Sequence, residues 1–240
     1  MAAARPLYLT DLAYIHHEGF GGLSRDAAPA LRRILRSHGL RGARIVEAGC
    51  GSGILAKSLV QAGHRVVGID ASPAMIALAR KHAPGARFRV ASLTATAIPR
   101  CDVVVAVGEV ITYLPSWRAV QRFIARVHDA LPPGGLFLFD FIESGERRTF
   151  PPRSRGGADW AIVTRADLSA DRRVLTRRMT TFRKLDGAYR QSRETHRVRI
   201  YPRARMAEEL SRAGFTATLR RSFGACRLLV GDVAVVAERR

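Results

Sequence analysis

Lysine is scarce in this sequence, although the chain is strongly basic. Only three of its 40 lysine and arginine residues are lysines, and the formal net charge at pH 7 is +20. The arginines are scattered through every segment, without an Arg-Gly-Gly run or an interleaved row of aromatics. This pattern favours a general use of arginine on the surface over a nucleic-acid platform. Basic residues nevertheless outnumber acidic ones across 144–205, which leaves an anionic partner open.

Cysteine is equally scarce, and the positions of the three residues exclude several kinds of site. Cys50, Cys101 and Cys226 lie far apart and share no metal-ligand spacing, so we predict no metal centre. Reduced thiols of this kind are typical of the cytoplasm, where we place the protein. A long apolar run is also absent, and the first residues lack the features of a signal peptide. We therefore expect neither a membrane span nor export.

Repeats and Gly/Ser-rich linkers are missing as well, and apolar strands alternate with helical patterns through the first half of the chain. Helical spacing of apolar residues covers 23–38, the connections between the first three strands, and about 116–130. Strands separated by helices predict a parallel, doubly wound sheet with helices on both faces. The five predicted strands are 43–49, 64–70, 87–91, 102–107 and 135–141.

The pattern changes after Ser144. Three segments that alternate like antiparallel strands follow, and Asp186-Gly187 between two of them is typical of a hairpin turn. A helix at 203–213 and two further strands complete the chain. The three alternating segments are 160–168, 172–185 and 189–201, and the last two strands are 215–223 and 227–238.

These elements predict one α/β domain over residues 1–240. Its sheet would be Rossmann-like, seven-stranded and mostly parallel, with an antiparallel last strand. We divide the chain into an N-terminal helical lid (1–39), a core (40–143 and 202–240) and a strand-rich insertion after the fifth strand (144–201). An insertion at the carboxyl edge of such a sheet overhangs the ligand crevice, so we expect it on the substrate side.

The segment 47–53 (EAGCGSG) joins the first strand to a helix. Glycines at such a junction let backbone N–H groups approach a ligand closely. A dinucleotide fingerprint that begins at Gly49 or Gly51 would need glycine where Ile54 or Ala56 stands, and no Gly-Lys-Ser/Thr follows. The loop taken alone is still compatible with a generic Rossmann turn.

Two acids flank this loop and narrow its ligand. Asp70 ends the second strand, where a carboxylate can accept hydrogen bonds from both hydroxyls of a ribose and disfavours a 2′-phosphate. Glu47 lies at the end of a buried strand, and a buried carboxylate is costly without a partner. A ligand that carries an ammonium group would supply that partner.

The segment 47–53 resembles motif I of the class I S-adenosyl-L-methionine-dependent methyltransferases, and 66–72 (VVGIDAS) resembles their second motif. Residues 87–93, 101–114 and 131–141 are similar to the later motifs of the small-molecule members. The resemblance covers about residues 40–141 closely and the C-terminal strands loosely. It implies S-adenosyl-L-methionine as the cofactor and S-adenosyl-L-homocysteine as the product.

By this resemblance, the glycine loop would hold the methionine end of the cofactor and Asp70 the ribose. Tyr14, in the lid, would shield the methionine end, while Ser92 lies at the far edge of the adenine. The family often has aspartate where Ser92 stands, which weakens the expected contact with the adenine amino group. The cofactor residues implied in this way are Tyr14, Glu47, Gly49, Cys50, Gly51, Gly53, Asp70, Ala71, Met75, Ser92 and Leu93.

Three side chains are candidate catalytic residues at the methyl acceptor. Glu109 follows the fourth strand, at the edge of the sheet that faces the cofactor. His16 in the lid has an intrinsic pKa suited to a base. His196 shares one face of a predicted strand with Glu194. For each of the three, a structural or surface role is the alternative.

The function predicted from these features is methyl transfer to nitrogen or oxygen of a small molecule, in secondary metabolism. A nucleic-acid methyltransferase would make use of the positive charge, but the sequence lacks an Asn/Asp/Ser-Pro-Pro-Tyr/Phe tetrapeptide and a catalytic Pro-Cys pair. A non-catalytic protein that binds the cofactor is the third alternative. Neither the acceptor nor the oligomeric state follows from the sequence.

Overall fold

The computed structural model describes residues 7–144 and 150–240. Its helices are α1 (Thr10–Phe20), α2 (Gly22–Ser37), α3 (Ile54–Gln61), α4 (Pro73–His82), α5 (Trp117–Ala130) and α6 (Arg203–Arg212), with a short 3₁₀ helix at Val110–Tyr113. Its strands are β1 (Arg44–Ala48), β2 (Arg65–Asp70), β3 (Arg87–Val90), β4 (Val103–Ala106), β5 (Leu136–Ile142), β6 (Arg153–Gly156), β7 (Trp160–Leu168), β8 (Val174–Leu185), β9 (Ala188–Arg199), β10 (Phe215–Arg220), β11 (Ser222–Phe223), β12 (Cys226–Arg227) and β13 (Asp232–Arg239).

Seven strands form the main sheet, in the order β10-β13-β5-β4-β1-β2-β3. Strands β1 to β5 pair in parallel, whereas β13 runs antiparallel to both of its neighbours. The predicted Rossmann-like sheet with an antiparallel last strand is confirmed. Because β1, β2, β4 and β5 point the same way, their carboxyl ends meet at one edge, where such sheets bind ligands.

Helices cover both faces of this sheet, which explains why its central strands are mostly apolar. On one face Phe123 of α5 meets Phe137 of β5 edge to face, with ring centroids 6.0 Å apart. On the other face Leu31 of α2 and Leu55 of α3 belong to the same buried cluster as Leu138 of β5. Because helices cover both faces, a ligand can reach the sheet only at its edges, and the loops that bind it project from the carboxyl edge.

The insertion is a second, four-stranded antiparallel sheet in the order β6-β7-β8-β9. Its three long strands were predicted, and the turn between β8 and β9 has positive φ at Asp186 (49°) and Gly187 (85°), as a tight hairpin requires. Strand β6 was not predicted, because all four of its residues are exposed and show no apolar alternation. Residues 145–149 of the predicted insertion lie outside the described residues.

The two ends of the insertion lie side by side at the end of β5. The N–H of Tyr201 donates to the carbonyl of Ile142 (3.1 Å), and the N–H of Ser144 donates to the carbonyl of Tyr201 (3.0 Å). Glu143 and Tyr201 form a single parallel bridge. The chain therefore leaves the core and returns to it at one point.

Helix α1, within the predicted lid, packs between the core and the insertion. Leu12 and Ile15 belong to one buried cluster with Trp160 and Met179 of the insertion. Asp11 accepts hydrogen bonds from Arg190 Nε (2.8 Å) and Ser192 Oγ (2.9 Å). Residues 1–6 of the predicted lid lie outside the described residues, but α1 itself is attached to the insertion by apolar and ionic contacts.

The prediction of one strand over 227–238 is wrong. Gly231 has a φ of 86°, and the side chains before it turn out into solvent, with Leu229 68% and Val230 85% exposed. Residues 226–227 pair instead with 222–223 in a short hairpin, and the sheet strand begins at Asp232. An apolar run does not reveal which of its residues form sheet hydrogen bonds, so the break at the glycine was missed.

Candidate functional site

The glycine loop connects β1 to α3 at the carboxyl edge of the sheet. Gly49, Gly51 and Gly53 have φ values of 68°, 51° and 78°, a left-handed conformation that other residues rarely adopt. A Cβ on Gly49 would lie 2.6 Å from the side chain of Val110. The predicted loop therefore requires its glycines, and it lies directly against the turn that carries Glu109.

Asp70 fixes this loop to the end of β2. Its carboxylate accepts hydrogen bonds from the N–H groups of Gly51 (2.9 Å) and Ser72 (2.8 Å). Burial raises the pKa of this carboxyl above its usual range, although the backbone donors oppose the shift. Each oxygen keeps a lone pair for a further donor, so Asp70 can still accept from two hydroxyl groups.

Glu47 is buried beneath the loop and has an incomplete set of partners. The N–H of Ala56 donates to its carboxylate, but no described residue bonds its Oε2 atom. Burial, reinforced by the negative charge of Asp70, raises the pKa of Glu47 to about 8. An unpaired buried carboxylate oxygen is costly, so this position suits the ammonium group of a ligand.

The remaining predicted cofactor residues line the same edge. Ala71 follows Asp70, and the sulfur of Met75 lies 4.0 Å from where a Cβ on Gly51 would stand. Ser92 and Leu93 follow β3; the hydroxyl of Ser92 contacts Thr94 Oγ1 (2.8 Å), and the carbonyl of Leu93 accepts a hydrogen bond from Arg126. These contacts hold the loop after β3 in place beside the end of β2.

Two predicted cofactor residues have surroundings that limit their roles. Cys50 is buried, and burial raises the pKa of its thiol, so the group is a neutral packing element of the loop. Tyr14 donates its hydroxyl to Asp159 (2.8 Å), and the guanidinium of Arg183 lies 3.8 Å from the centre of its ring. Both of these partners of the Tyr14 side chain belong to the insertion.

Glu109 lies at the end of the turn that follows β4, in a left-handed conformation with φ 60°. Asp140 of β5 holds this turn by accepting the N–H groups of Gly108 (2.7 Å) and Glu109 (3.0 Å). Burial, together with the charge of Glu109, raises the pKa of Asp140 to about 7. Glu109 itself forms an ion pair with Arg177 of β8 (2.8 Å) and is only 8% exposed. The surface alternative for Glu109 is therefore wrong, whereas the structural one stays open, because Glu109 also begins the 3₁₀ helix.

His196 of β9 lies at the centre of a buried polar chain. Its Nε2 atom is 3.1 Å from Glu194, and its Nδ1 atom is 3.4 Å from the hydroxyl of Tyr113. That hydroxyl is in turn 3.0 Å from the hydroxyl of Tyr8. Glu194 and His196 do share one face of a strand, as predicted, and this face is turned toward the main sheet.

His16 of α1 contacts the same group of rings. Its ring lies edge to face with Tyr8, with centroids 5.2 Å apart, and no described residue bonds its buried Nδ1 atom. Burial lowers the pKa of His16 to about 4, so the imidazole is neutral at physiological pH. It can therefore accept a hydrogen bond from a ligand.

The structure thus brings the three candidate catalytic residues together around two tyrosines, Tyr8 and Tyr113. Sequence reasoning missed Tyr8 and Arg177 as members of this cluster. Arg177 is one of many arginines in alternating strands, and Tyr8 precedes the first helix without any motif. A signal for Arg177 did exist, because the β8 register places it opposite His196 on the same sheet face.

Two other features are absent from the described residues, a cluster of metal ligands and a membrane-spanning helix. No group of three or more His, Cys, Asp or Glu side chains in residues 7–144 and 150–240 is arranged to hold a metal ion. No helix in that part of the chain combines the length and the apolar character needed to cross a bilayer.

Comparison with known proteins agrees with the geometry of the loop and the sheet. A family model for a methyltransferase domain matches residues 45–135. A ubiquinone biosynthesis O-methyltransferase of Methylocella silvestris is 30% identical over 214 residues, which cover 80% of this chain and 78% of that protein. Its counterpart in Dinoroseobacter shibae is 29% identical over 145 residues, 58% of this chain, and the match spans only 55% of that relative.

A solved structure shares the fold over the whole chain. It is an amino pentose methyltransferase from Micromonospora echinaspora with S-adenosylmethionine bound; the TM-score is 0.78 at 20% identity, and the match covers 99% of this chain and 100% of that one. The sheet order, the glycine loop and the match over most of both chains with the Methylocella protein lead to one assignment. The chain belongs to the class I S-adenosyl-L-methionine-dependent methyltransferases.

Proposed function

We propose that this protein transfers the methyl group of S-adenosyl-L-methionine to nitrogen or oxygen of a small molecule, as part of secondary metabolism. The observation that carries the proposal is the convergence of His16, Glu109 and His196 on one buried cluster beside the glycine loop. Gly49 contacts the Val110 side chain next to Glu109, so the cluster adjoins the loop that would hold the cofactor. The acceptor would lie between this loop and the insertion.

The residues at the sheet edge fit the cofactor. Asp70 would accept the ribose hydroxyls, and the unpaired Oε2 of Glu47 would accept the amino group of the methionine end. When bound, the cofactor supplies a methyl group already activated by a sulfonium. The chain therefore has to position the acceptor and exclude water, and it needs a base only if the acceptor must lose a proton.

The three candidate catalytic residues would have different roles at the acceptor. His16, which is neutral and lacks a described partner at Nδ1, would accept a hydrogen bond from the acceptor. His196, with Glu194 behind it, would receive a proton through Tyr113. Glu109 would orient an amine or hydroxyl group, while Arg177 balances its charge.

Several features favour a small acceptor over a polymer. The cluster lies between α1, the turn after β4 and the insertion, and Glu109 and His196 are 8% and 1% exposed. Of the relatives named above, one is a ubiquinone biosynthesis O-methyltransferase, which supports oxygen as a target, and the other is an amino pentose methyltransferase, which supports a small acceptor that carries an amino group. The basic residues of the insertion support an anionic acceptor, and the buried, unpaired thiols support a cytoplasmic enzyme.

The direct test is methyl transfer from S-adenosyl-L-methionine with a tritiated methyl group. Panels of amino sugars, phenols and short RNA would be offered, and product would be separated from unreacted cofactor. We expect labelled product and S-adenosyl-L-homocysteine with small acceptors only. Cofactor binding by calorimetry without transfer to any panel member would favour a binding protein, and transfer to RNA alone would favour the nucleic-acid alternative.

The raised pKa of Glu47 predicts how cofactor affinity depends on pH. Below about pH 8 the carboxyl is mostly protonated in the free protein, and an ammonium group requires the ionised form. Binding therefore releases a proton, and the affinity should rise about tenfold per pH unit between pH 6 and 7. It should fall again above about pH 8, where an α-amino group loses its proton.

Calorimetry in buffers with different ionisation enthalpies measures both the affinity and the released proton. Glu47→Gln should bind more weakly and lose the rise between pH 6 and 7. Glu208→Gln, on the exposed face of α6, is the matched control and should keep it. An affinity of the native protein that stays constant from pH 6 to 8 would show that Glu47 does not meet the ammonium group.

A further inference from the structure

Tyr8 combines an uncommon backbone conformation with contacts on several sides. Like Glu109, it has a left-handed φ (54°), although it is neither glycine nor asparagine. Such a conformation persists only where the surroundings hold it from several sides, and it often marks a functional position. Here the backbone N–H, the carbonyl and the hydroxyl of Tyr8 all have partners.

Glu194 of β9 is the partner on the insertion side. Its carboxylate accepts the N–H groups of Tyr8 (2.7 Å) and Leu9 (2.9 Å), and Nε2 of His196 lies 3.1 Å away. The Glu194 side chain is only 7% exposed. Of these three bonds, two come from the described segment before α1 (residues 7–9), so withdrawal of that segment would leave the buried carboxylate with His196 alone.

Ser72 is the partner on the cofactor side. Its hydroxyl donates to the carbonyl of Tyr8 (2.7 Å) and accepts the N–H of Met75 (3.1 Å), which caps α4. The N–H of Ser72 donates to Asp70, the proposed ribose residue. Tyr8 thus connects the start of α4 to Glu194, on the face of β9 that also carries His196.

The hydrogen bonds around Glu194 also set the direction of the polar chain at the acceptor. An ionised Glu194 requires His196 to donate from Nε2, which leaves Nδ1 free to accept from the hydroxyl of Tyr113. The hydroxyl of Tyr113 can then accept from Tyr8. Closure of the N-terminal segment and the tautomer of His196 therefore depend on the same carboxylate.

We propose that Glu194 is a positioning residue that couples closure of the segment before α1 to the orientation of His196 and Tyr113 at the acceptor. This inference rests on the proposed function, since it gives the segment a role in methyl transfer. It links the two halves of the site, because Ser72 bonds both Asp70 and Tyr8. The His196 imidazole is then correctly oriented for the acceptor only when Tyr8 forms these hydrogen bonds.

The test compares the native protein with Glu194→Gln by amide hydrogen exchange and by ring ¹⁵N signals of His196, with S-adenosyl-L-homocysteine as the probe. In the native protein we expect protected Tyr8 and Leu9 amides and a His196 ring protonated at Nε2. In the variant both amides should exchange about tenfold faster or more, because glutamine carries no charge and offers one acceptor oxygen where glutamate offers two. The His196 signals should shift toward a mixture of tautomers, and the probe should dissociate several-fold faster.

Glu208→Gln, an exposed substitution on α6, is the control and should leave all three measurements unchanged. Faster exchange confined to Tyr8 and Leu9, with unchanged His196 signals, would overturn the coupling, as would unchanged exchange in the variant. If Glu194→Gln does not fold, the native protein is titrated with the probe instead. The amide exchange rate of Tyr8 and the His196 signals must then depend on probe concentration in the same way. Two different dependences would refute the proposal. Failure of the native protein to bind the probe would instead count against the proposed function.

Discussion

Asp70→Ala should raise the dissociation constant for S-adenosyl-L-methionine about 100-fold or more. The variant loses a half-buried carboxylate that would accept two ribose hydroxyls, and hydrogen bonds to charged groups contribute about 1.5–3 kcal/mol each. It also leaves the N–H groups of Gly51 and Ser72 without their acceptor, which loosens the glycine loop. Calorimetry of cofactor binding gives the affinity, and thermal unfolding gives the accompanying loss of stability.

Asp102→Ala is a matched control for this variant. Asp102 also accepts a backbone N–H, that of Arg44 (2.7 Å), but it does so at the opposite edge of the sheet. We expect Asp102→Ala to lower the unfolding temperature without changing cofactor affinity. If Asp70→Ala binds the cofactor as tightly as the native protein, the ribose assignment of Asp70 is wrong.

Glu109→Gln should reduce turnover by about 100-fold or more while cofactor affinity changes less than about threefold. Glutamine keeps the shape of the side chain but cannot carry the charge that orients or deprotonates an acceptor, and groups in this role commonly contribute 100-fold or more. The substitution also leaves Arg177 without its ionic partner, so the guanidinium can turn toward the acceptor space. Initial rates with the best acceptor of the panel, measured beside cofactor calorimetry, separate the two effects.

Asp167→Asn serves as the control for Glu109→Gln. Asp167 also pairs with an arginine of β8, Arg178, but that pair is exposed. Exposed pairs contribute little, so neither turnover nor binding should change. Native turnover in Glu109→Gln would mean that the carboxylate only holds Arg177 in place.

The sequence allowed the cofactor half of the site to be predicted because its residues are local. The loop 47–53 and Asp70 belong to adjacent strand ends, and β1 lies beside β2 with Glu47 opposite Gly68. Glycine spacing and the end of a strand therefore suffice to bring these groups together. Right-handed, short connections also limit the possible orders of the parallel strands, but they do not fix the order that the structure shows.

The acceptor half could be predicted only in part, because its residues come from three distant segments. Tyr8, Glu109 and the β8–β9 hairpin, which carries Arg177 and His196, meet only through the packing of α1 and the insertion against the core. Alternation placed Glu194 and His196 on one strand face, but it cannot say which element that face covers. Lid aromatics were expected to act through Tyr14, whereas the tyrosine bonded to Ser72 and Tyr113 is Tyr8.

The neck of the insertion, where Ile142 and Ser144 bond Tyr201, has a consequence for how acceptor preference can diverge. The chain leaves the core and returns to it at one place. The four-stranded sheet could therefore be replaced by another insertion without changing β1, β2 or Asp70. A transplanted insertion would have to keep the neck, the side chains that receive α1 and partners for Glu109 and Tyr113 of the core. New acceptors can thus be acquired without rebuilding the cofactor cradle.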